Sequence, residues 1–172
     1  ADVSDHFLVG LSKVIETETD DRQVDMLMQT VPNFERIGDY ATNLVELSER
    51  LIQEKAELSE MAKQELKIIC GAVNDILSVT VQAFSENDNQ TAKAIEPLEE
   101  VIDDMVMILR DRHTKRLKNG ACSISSGLVF MEVLTYLERA SDQCSSIAVM
   151  MLARDNDAIL QNHYESLRAI HS

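Results

Sequence analysis

Pairs of carboxylates one helical turn apart are the residues in this sequence whose type and spacing best suit chemistry. Glu35 and Asp39 lie in FERIGDYATN, and Glu138 and Asp142 lie in YLERASDQCSS, with an arginine directly after each glutamate. Side chains at positions i and i+4 of an α-helix share one face. Carboxylates arranged in this way suit Mg²⁺, Mn²⁺, Ca²⁺ or iron, whereas zinc favours nitrogen and sulfur ligands. The spacing therefore indicates a metal-binding hypothesis.

A third pair, Glu99 and Asp103, has the same spacing and precedes the glycine-containing turn KNGACS at residues 118–123. It lies about as far before that turn as the pair in YLERASDQCSS lies after it. Because the two arms of an antiparallel helical hairpin rise equally, at about 1.5 Å per residue, the two pairs should meet at one height. The predicted second site comprises Glu99, Asp103, Glu138 and Asp142.

An internal repeat suggests a matching first site. Aligning Glu138 with Glu35 superposes the two motifs, and aligning the preceding arms places Ala1 where the second repeat has Glu99. The predicted first site therefore has one carboxylate fewer, and we expect the second site to fill first, with at least about tenfold higher affinity. The first site comprises Asp5, Glu35 and Asp39.

Two other readings of the carboxylates stay open from the residues alone. Like charges about 4 Å apart repel by about 1 kcal/mol in water and about 4 kcal/mol at an effective dielectric of 20, so a cluster favours a bound cation. Solvated acids on a structural helical spacer are one alternative, and a metal-dependent phosphohydrolase is the other. Against the enzyme, the sequence near the acids has no nucleophile, Gly-rich phosphate loop or histidine base.

The composition narrows the choice of partners. The chain has 30 acidic and 16 basic residues, a net charge of −14, which argues against nucleic acid and favours cations or a basic protein surface. Three cysteines without a C-x-x-C pair fit a reducing cytosol. The longest stretch without a charge, residues 119–131, is shorter than the roughly 20 residues of a membrane span, so we expect no crossing.

The elements that would position these residues are helices. Few glycines and prolines, with apolar residues recurring every three or four positions, predict an all-α antiparallel helical bundle. Turns are predicted at residues 16–21, 85–90 and 118–123. The expected helices cover residues 5–17, a stripe from Leu27 to Ile52, and about 58–85, 91–117, 123–153 and 158–170.

The motifs also resemble a known family. ERIGDYATN is similar to the E-R-x-G-D-x-A-x-N signature of PhoU-like proteins, LERASD resembles the looser form in their second repeat, and AKAIEPLEEVID (92–103) adds to the likeness. The resemblance implies two tandem three-helix repeats, the first lacking its first helix here. The predicted divisions are a partial first repeat at 1–56, a second repeat at 57–154 and a C-terminal tail helix at 155–172.

Function is also implied by the resemblance. PhoU-like proteins restrain phosphate uptake and signalling and are not enzymes; members carry multinuclear iron or zinc on surface carboxylates. We expect bound iron, zinc, manganese or magnesium. Some members are free-standing, and others are cytoplasmic C-terminal domains of sodium/phosphate cotransporters. The abrupt start of the chain, together with NHYESLRAIH (162–171), favours the second form. The expected partner is thus a membrane-embedded phosphate transporter in the same polypeptide, which would tether the domain to the inner membrane face.

A homodimer is the expected oligomeric state. The missing first helix leaves the apolar stripe of residues 27–52 without its third neighbour. A tail helix at 158–170 would span only about 20 Å and could not cover a stripe nearly twice as long. A second copy of the chain is therefore expected to cover it.

Overall fold

The computed structural model describes residues 18–170, with side chains placed for residues 22–154 and 156. The described residues form five helices joined by short connections, and they contain no strand. The all-α prediction is confirmed. α5 packs against each of the other four helices and so forms the centre of the bundle. The helices are α1 (Glu18–Gln53), α2 (Glu60–Glu86), the one-turn α3 (Asn89–Ala92), α4 (Ile95–Lys118) and α5 (Ile124–Ile170).

Polar residues cap the ends of α2 and the start of α3, the two helices that precede α4. The Ser59 hydroxyl accepts the Ala62 N–H at 3.2 Å and begins α2, and Asn87 ends it with φ of 53°. The Asp88 carboxylate then accepts the Gln90 and Thr91 N–H groups and caps α3. Pro97 lies in the first turn of α4, where a helix does not need its missing N–H. α4 begins at Ile95, four residues before Glu99.

The core follows the helical periodicity of the apolar residues. Positions three and four apart on α2, α4 and α5 are buried against one another, as expected where each helix turns one apolar face inward. The largest fully buried apolar side chains are Phe130, Ile69, Ile76, Ile95, Ile102, Leu134, Ile147 and Met151.

The two copies of the repeated motif contact each other where α1 packs against α5. Asn33 donates to Gln143 at 2.9 Å, and the rings of Tyr40 and Tyr136 lie 6.1 Å apart. A shift of 103 residues, the offset between the two motifs, turns 33 and 40 into 136 and 143. Residues 33 and 143 form one contact and residues 40 and 136 form the other, so each contact pairs a residue with the repeat equivalent of the other contact's residue. The two motif helices therefore lie antiparallel with their E-R motifs side by side.

Two predicted boundaries were wrong. Residues 18–21 belong to α1 and not to a turn, because acidic residues in a first turn are favoured by the helix dipole. The fourth helix does not end at residue 153; α5 continues to Ile170. RDNDA contains no Gly or Pro, and Asp and Asn each disfavour a helix by less than about 1 kcal/mol. The tail is thus part of α5, and the helix predicted at residues 5–17 lies outside the described residues.

The buried face of α1 is rotated from the predicted stripe. Among the described residues of α1, the deeply buried positions are Val24, Met26, Thr30, Asn33 and Leu47, whereas Ile52 is 77% exposed. Polar Thr30 and Asn33 were not counted in an apolar pattern, but both find hydrogen-bond partners inside the bundle. Part of the predicted stripe therefore faces outward.

Within the described residues, α2 alone is long and apolar enough for a membrane span by length and composition. The expectation of no crossing considered only uninterrupted uncharged stretches, and α2 contains isolated charges. A core helix passes the same test, and α2 buries Ile69, Val73 and Ile76 in the bundle. Length and composition are therefore weak evidence for a span.

Candidate metal site

α4 and α5 bring three carboxylates together. One oxygen each from Glu99, Asp103 and Asp142 lies within 4.8 Å of the other two. Glu99 and Asp103 come from one face of α4, and Asp142 comes from the antiparallel α5. Among the side chains that the structure places, these three form the one group of potential metal ligands, which we call the acidic cluster.

One oxygen of the cluster is buried without a hydrogen-bond partner. Asp103 Oδ1 is buried and accepts no hydrogen bond. Buried polar atoms without a partner are few in folded proteins, and an ionised carboxylate can only accept. A cation would satisfy this oxygen, and three carboxylates form the all-oxygen donor set that hard metal ions prefer. The residues present therefore fit a bound metal ion.

The electrostatics of the cluster point the same way. Burial, followed by the charges of Asp103 and Asp142, raises the pKa of Glu99. Burial, followed by the charges of Asp103 and Glu138, raises the pKa of Asp142, against the opposing effects of Arg139 and a hydrogen bond with Glu99. The carboxylates thus oppose one another's ionisation, and a cation would relieve that repulsion.

Glu138, the fourth predicted ligand, is paired elsewhere. Its Oε2 accepts a hydrogen bond from Arg110 Nη2 at 2.6 Å, and the same nitrogen donates to Thr135 Oγ1 at 3.1 Å. Sequence reasoning did not identify Arg110. The sequence does set Arg110 apart, because residues 94–109, which include Glu99 and Asp103, contain no basic residue. The second site is therefore three carboxylates with a glutamate–arginine pair beside them.

The first site is not assembled within the described residues. Glu35 and Asp39 are both exposed on α1, and Asp5 lies outside the residues that the structure describes. This site therefore stays a prediction. In the second motif, the Arg139 guanidinium lies over the Tyr136 ring, 6.0 Å from its centroid.

Half of the chain is similar to a known protein domain. The model of the PhoU domain matches residues 66–151, half of the chain. The chain belongs to the PhoU domain family. The matched region contains the whole acidic cluster and Glu138.

Two curated relatives extend the likeness beyond the matched PhoU domain. Both are called phosphate-specific transport system accessory protein PhoU homolog 1. The Thermotoga maritima protein is 28% identical over 151 residues, 88% of this chain and 63% of the relative. The Methanothermobacter thermautotrophicus protein is 26% identical over 127 residues, 74% of this chain and 57% of the relative. The chain thus spans less than two thirds of their length, and no solved structure matches it.

Proposed function

We propose that this PhoU domain chain is a regulatory, non-catalytic domain of phosphate transport that binds a multivalent cation at Glu99, Asp103 and Asp142. The observation that carries the metal is the acidic cluster with its partnerless, buried Asp103 oxygen. The regulatory role is supported by the family and by the name of the two relatives, which assigns those proteins to phosphate-specific transport.

The ion would act by joining two helices. Glu99 and Asp103 belong to α4 and Asp142 to α5, so shared ligation would neutralise their repulsion and fasten α4 to α5. Binding to the folded state alone raises the free energy of unfolding by mass action. Metal occupancy would then appear as a stiffer α4–α5 pair, which a partner that contacts those helices can sense. Iron, zinc, manganese and magnesium are the proposed ions.

The proposed partner is a membrane-embedded phosphate transporter, with the PhoU domain held at the cytoplasmic face as part of the same polypeptide. A free-standing regulator is the alternative, and the full reading frame distinguishes the two. A homodimer is proposed through the outward face of α1, where Ala41, Val45 and Ile52 are exposed. Light scattering on protein and on a Val45→Glu variant tests the dimer: a monomer in both samples contradicts it.

Metal binding is tested on protein purified without a histidine tag, stripped with chelator and titrated with Mn²⁺. We expect saturable binding that disappears in the Asp103→Asn, Asp142→Asn double variant. Asp104→Asn is the matched control, because Asp104 is the neighbouring acid on α4 but lies outside the cluster. No binding by the parent protein would support the structural spacer, and phosphatase activity of the loaded protein would support the phosphohydrolase.

Regulation is tested in cells that express the full-length protein. We expect the double variant to change the rate of phosphate uptake, with the Asp104→Asn protein unchanged. An uptake rate that neither the double variant nor removal of the domain alters would contradict the regulatory role.

A further inference from the structure

We propose that Arg110 is an internal competitor of the metal ion: it holds Glu138 away from the acidic cluster, and a bound ion draws Glu138 from Arg110 to itself. Arg110 would then be a positioning residue that sets how tightly the cluster holds a divalent or trivalent cation. This inference rests on the proposed metal-binding function.

The first support is where Glu138 lies. It is one turn before Asp142 on α5, so the two side chains lie on the same face of the helix. Its oxygens nevertheless lie outside the group of three, and its hydrogen bond goes to Arg110 at 2.6 Å. Glu138 is thus a further carboxylate one turn from the cluster, and the Arg110 guanidinium engages it.

The second support is how Arg110 is held. Its Nη2 donates to both Glu138 and Thr135, which are three residues apart on α5, and the Thr135 hydroxyl in turn donates to the Met131 carbonyl at 3.0 Å. Thr135 would still accept from Arg110 if Glu138 left. The guanidinium therefore keeps a partner after exchange, which lowers the cost of releasing the glutamate.

The third support is the strength of the pair. The side chains of Arg110 and Glu138 are 37% and 28% exposed, and partly exposed ion pairs contribute little stability. A multivalent ion in direct contact with Glu138 would carry at least twice the charge of the guanidinium at a shorter distance, and this contact would have to outweigh repulsion from the three carboxylates. The Arg110–Glu138 pair is thus weak enough for a bound ion to break. Breaking it still costs free energy, and that cost lowers the affinity for the ion.

Replacing Arg110 provides the test, with Mn²⁺ as the probe. We expect Arg110→Gln to bind Mn²⁺ about fivefold more tightly than the parent, the fold-change that corresponds to one partly exposed ion pair. Lys115→Gln is the matched control, because it removes the same charge from the same helix and pairs only with Asp111, outside the cluster. At physiological salt we expect its affinity to change less than twofold.

A double-mutant cycle separates competition from a structural role. We expect Glu138→Gln to weaken Mn²⁺ binding, and Arg110→Gln to have no further effect in that background, because both residues act through one exchange. If Arg110→Gln binds equally or more weakly, or tightens binding without Glu138, the competitor role is wrong while the metal site stands. If the parent protein binds no Mn²⁺, the proposed function itself fails.

Discussion

Two groups of charged side chains on α4 differ in how their charges are paired, because one joins opposite charges and the other sets like charges together. Towards its C-terminal end, Arg116 and Arg112 lie 2.6 and 3.0 Å from the carboxylate of Glu65, a residue of α2 that is 5% exposed. Towards its N-terminal end, the acidic cluster sets three carboxylates against one another. The difference indicates that Glu65 and its arginines form part of the scaffold, whereas the carboxylates of the acidic cluster repel one another, as the proposed cation site would require.

His113 extends the compensated group, which we call the Glu65 network. Arg116 Nη2 lies 3.1 Å from His113 Nδ1 and can only donate to it, while the buried His113 Nε2 has no hydrogen-bond partner. The ring is stacked on Phe130 with centroids 4.2 Å apart. Burial, followed by the positive charge of Arg116, lowers the pKa of His113. The network therefore holds a histidine neutral, while the acidic cluster opposes the ionised form of its acids.

The largest expected effect comes from breaking the Glu65 network. Glu65→Gln removes the charge that compensates Arg116, and breaking a buried ion pair by removing one partner costs about 3–5 kcal/mol. Asp103→Asn, measured alongside in chelator, should leave the free energy of unfolding unchanged or raise it, because it relieves repulsion. Urea unfolding measures both. Equal losses in the two variants would contradict the distinction between the two groups.

Bound metal should stabilise the protein through the acidic cluster and not through the Glu65 network. At a free Mn²⁺ concentration of 100 times Kd, the parent protein should gain about 2.7 kcal/mol in its free energy of unfolding. The Asp103→Asn, Asp142→Asn protein should gain nothing, whereas Glu65→Gln should keep the full gain despite its lower starting stability. Thermal unfolding with and without Mn²⁺ gives the three differences. Loss of the gain in Glu65→Gln would mean that the two groups are coupled through α4.

Acid should affect the two groups in opposite directions in metal-free protein. As pH falls below 6.5, the unfolded chain protonates His113 before the folded chain does, so stability is lost down to the lowered pKa of the folded state. The folded chain protonates Glu99 and Asp142 first. Their contribution therefore raises stability as pH falls through their raised pKa values towards the ordinary values of 4.5 and 3.8.

Two variants separate these contributions. In chelator, His113→Gln should remove the loss below pH 6.5, and Asp142→Asn should reduce the gain at lower pH. The measurement is the free energy of unfolding in urea from pH 7.5 to 4, compared with the parent at each pH. A parent slope that neither variant changes would place the pH dependence in other groups.

Sequence reasoning found the acidic cluster because its geometry depends on local rules. Spacing of four residues sets Glu99 and Asp103 on one face, and the short turn after α4 sets Asp142 at their height. The partner of Glu138 was missed because equal heights do not determine which long side chain reaches across. Arg110 lies 28 residues before Glu138 and reaches it from a different level of α4.

The Glu65 network and the extent of α5 were missed for different reasons. Glu65 pairs with Arg116 across 51 residues, a contact that no local rule predicts. Its signal was a charged residue in the same stripe as Ala62 and Ile69 on α2, which are buried. The break predicted between residues 153 and 158 is absent, because the unfavourable helix propensity of Asp and Asn is a weak preference that a long helix readily overrides.

The smallest expected effect tests how tightly the Glu65 network is packed. A Cβ added at Gly127 would lie 2.6 Å from Leu117 Cδ2 and 3.1 Å from His113 Nε2, whereas one added at Gly71 on α2 meets nothing within 4 Å. Gly71→Ala should therefore stabilise the protein by about 0.5–1 kcal/mol through helix propensity. Gly127→Ala gains the same propensity, but overpacking costs about 1–3 kcal/mol, which leaves a net loss of about 1 kcal/mol.

Urea unfolding of both glycine variants at neutral pH, in chelator, measures this difference. Mn²⁺ affinity serves as the control, because neither glycine contacts the acidic cluster and both variants should bind as the parent does. A stabilised Gly127→Ala protein would mean that the flexible end of Leu117 yields without cost. The expectation of rigid packing around His113 would then be wrong. The lowered pKa of His113 would still be explained by burial and the charge of Arg116, without rigid packing.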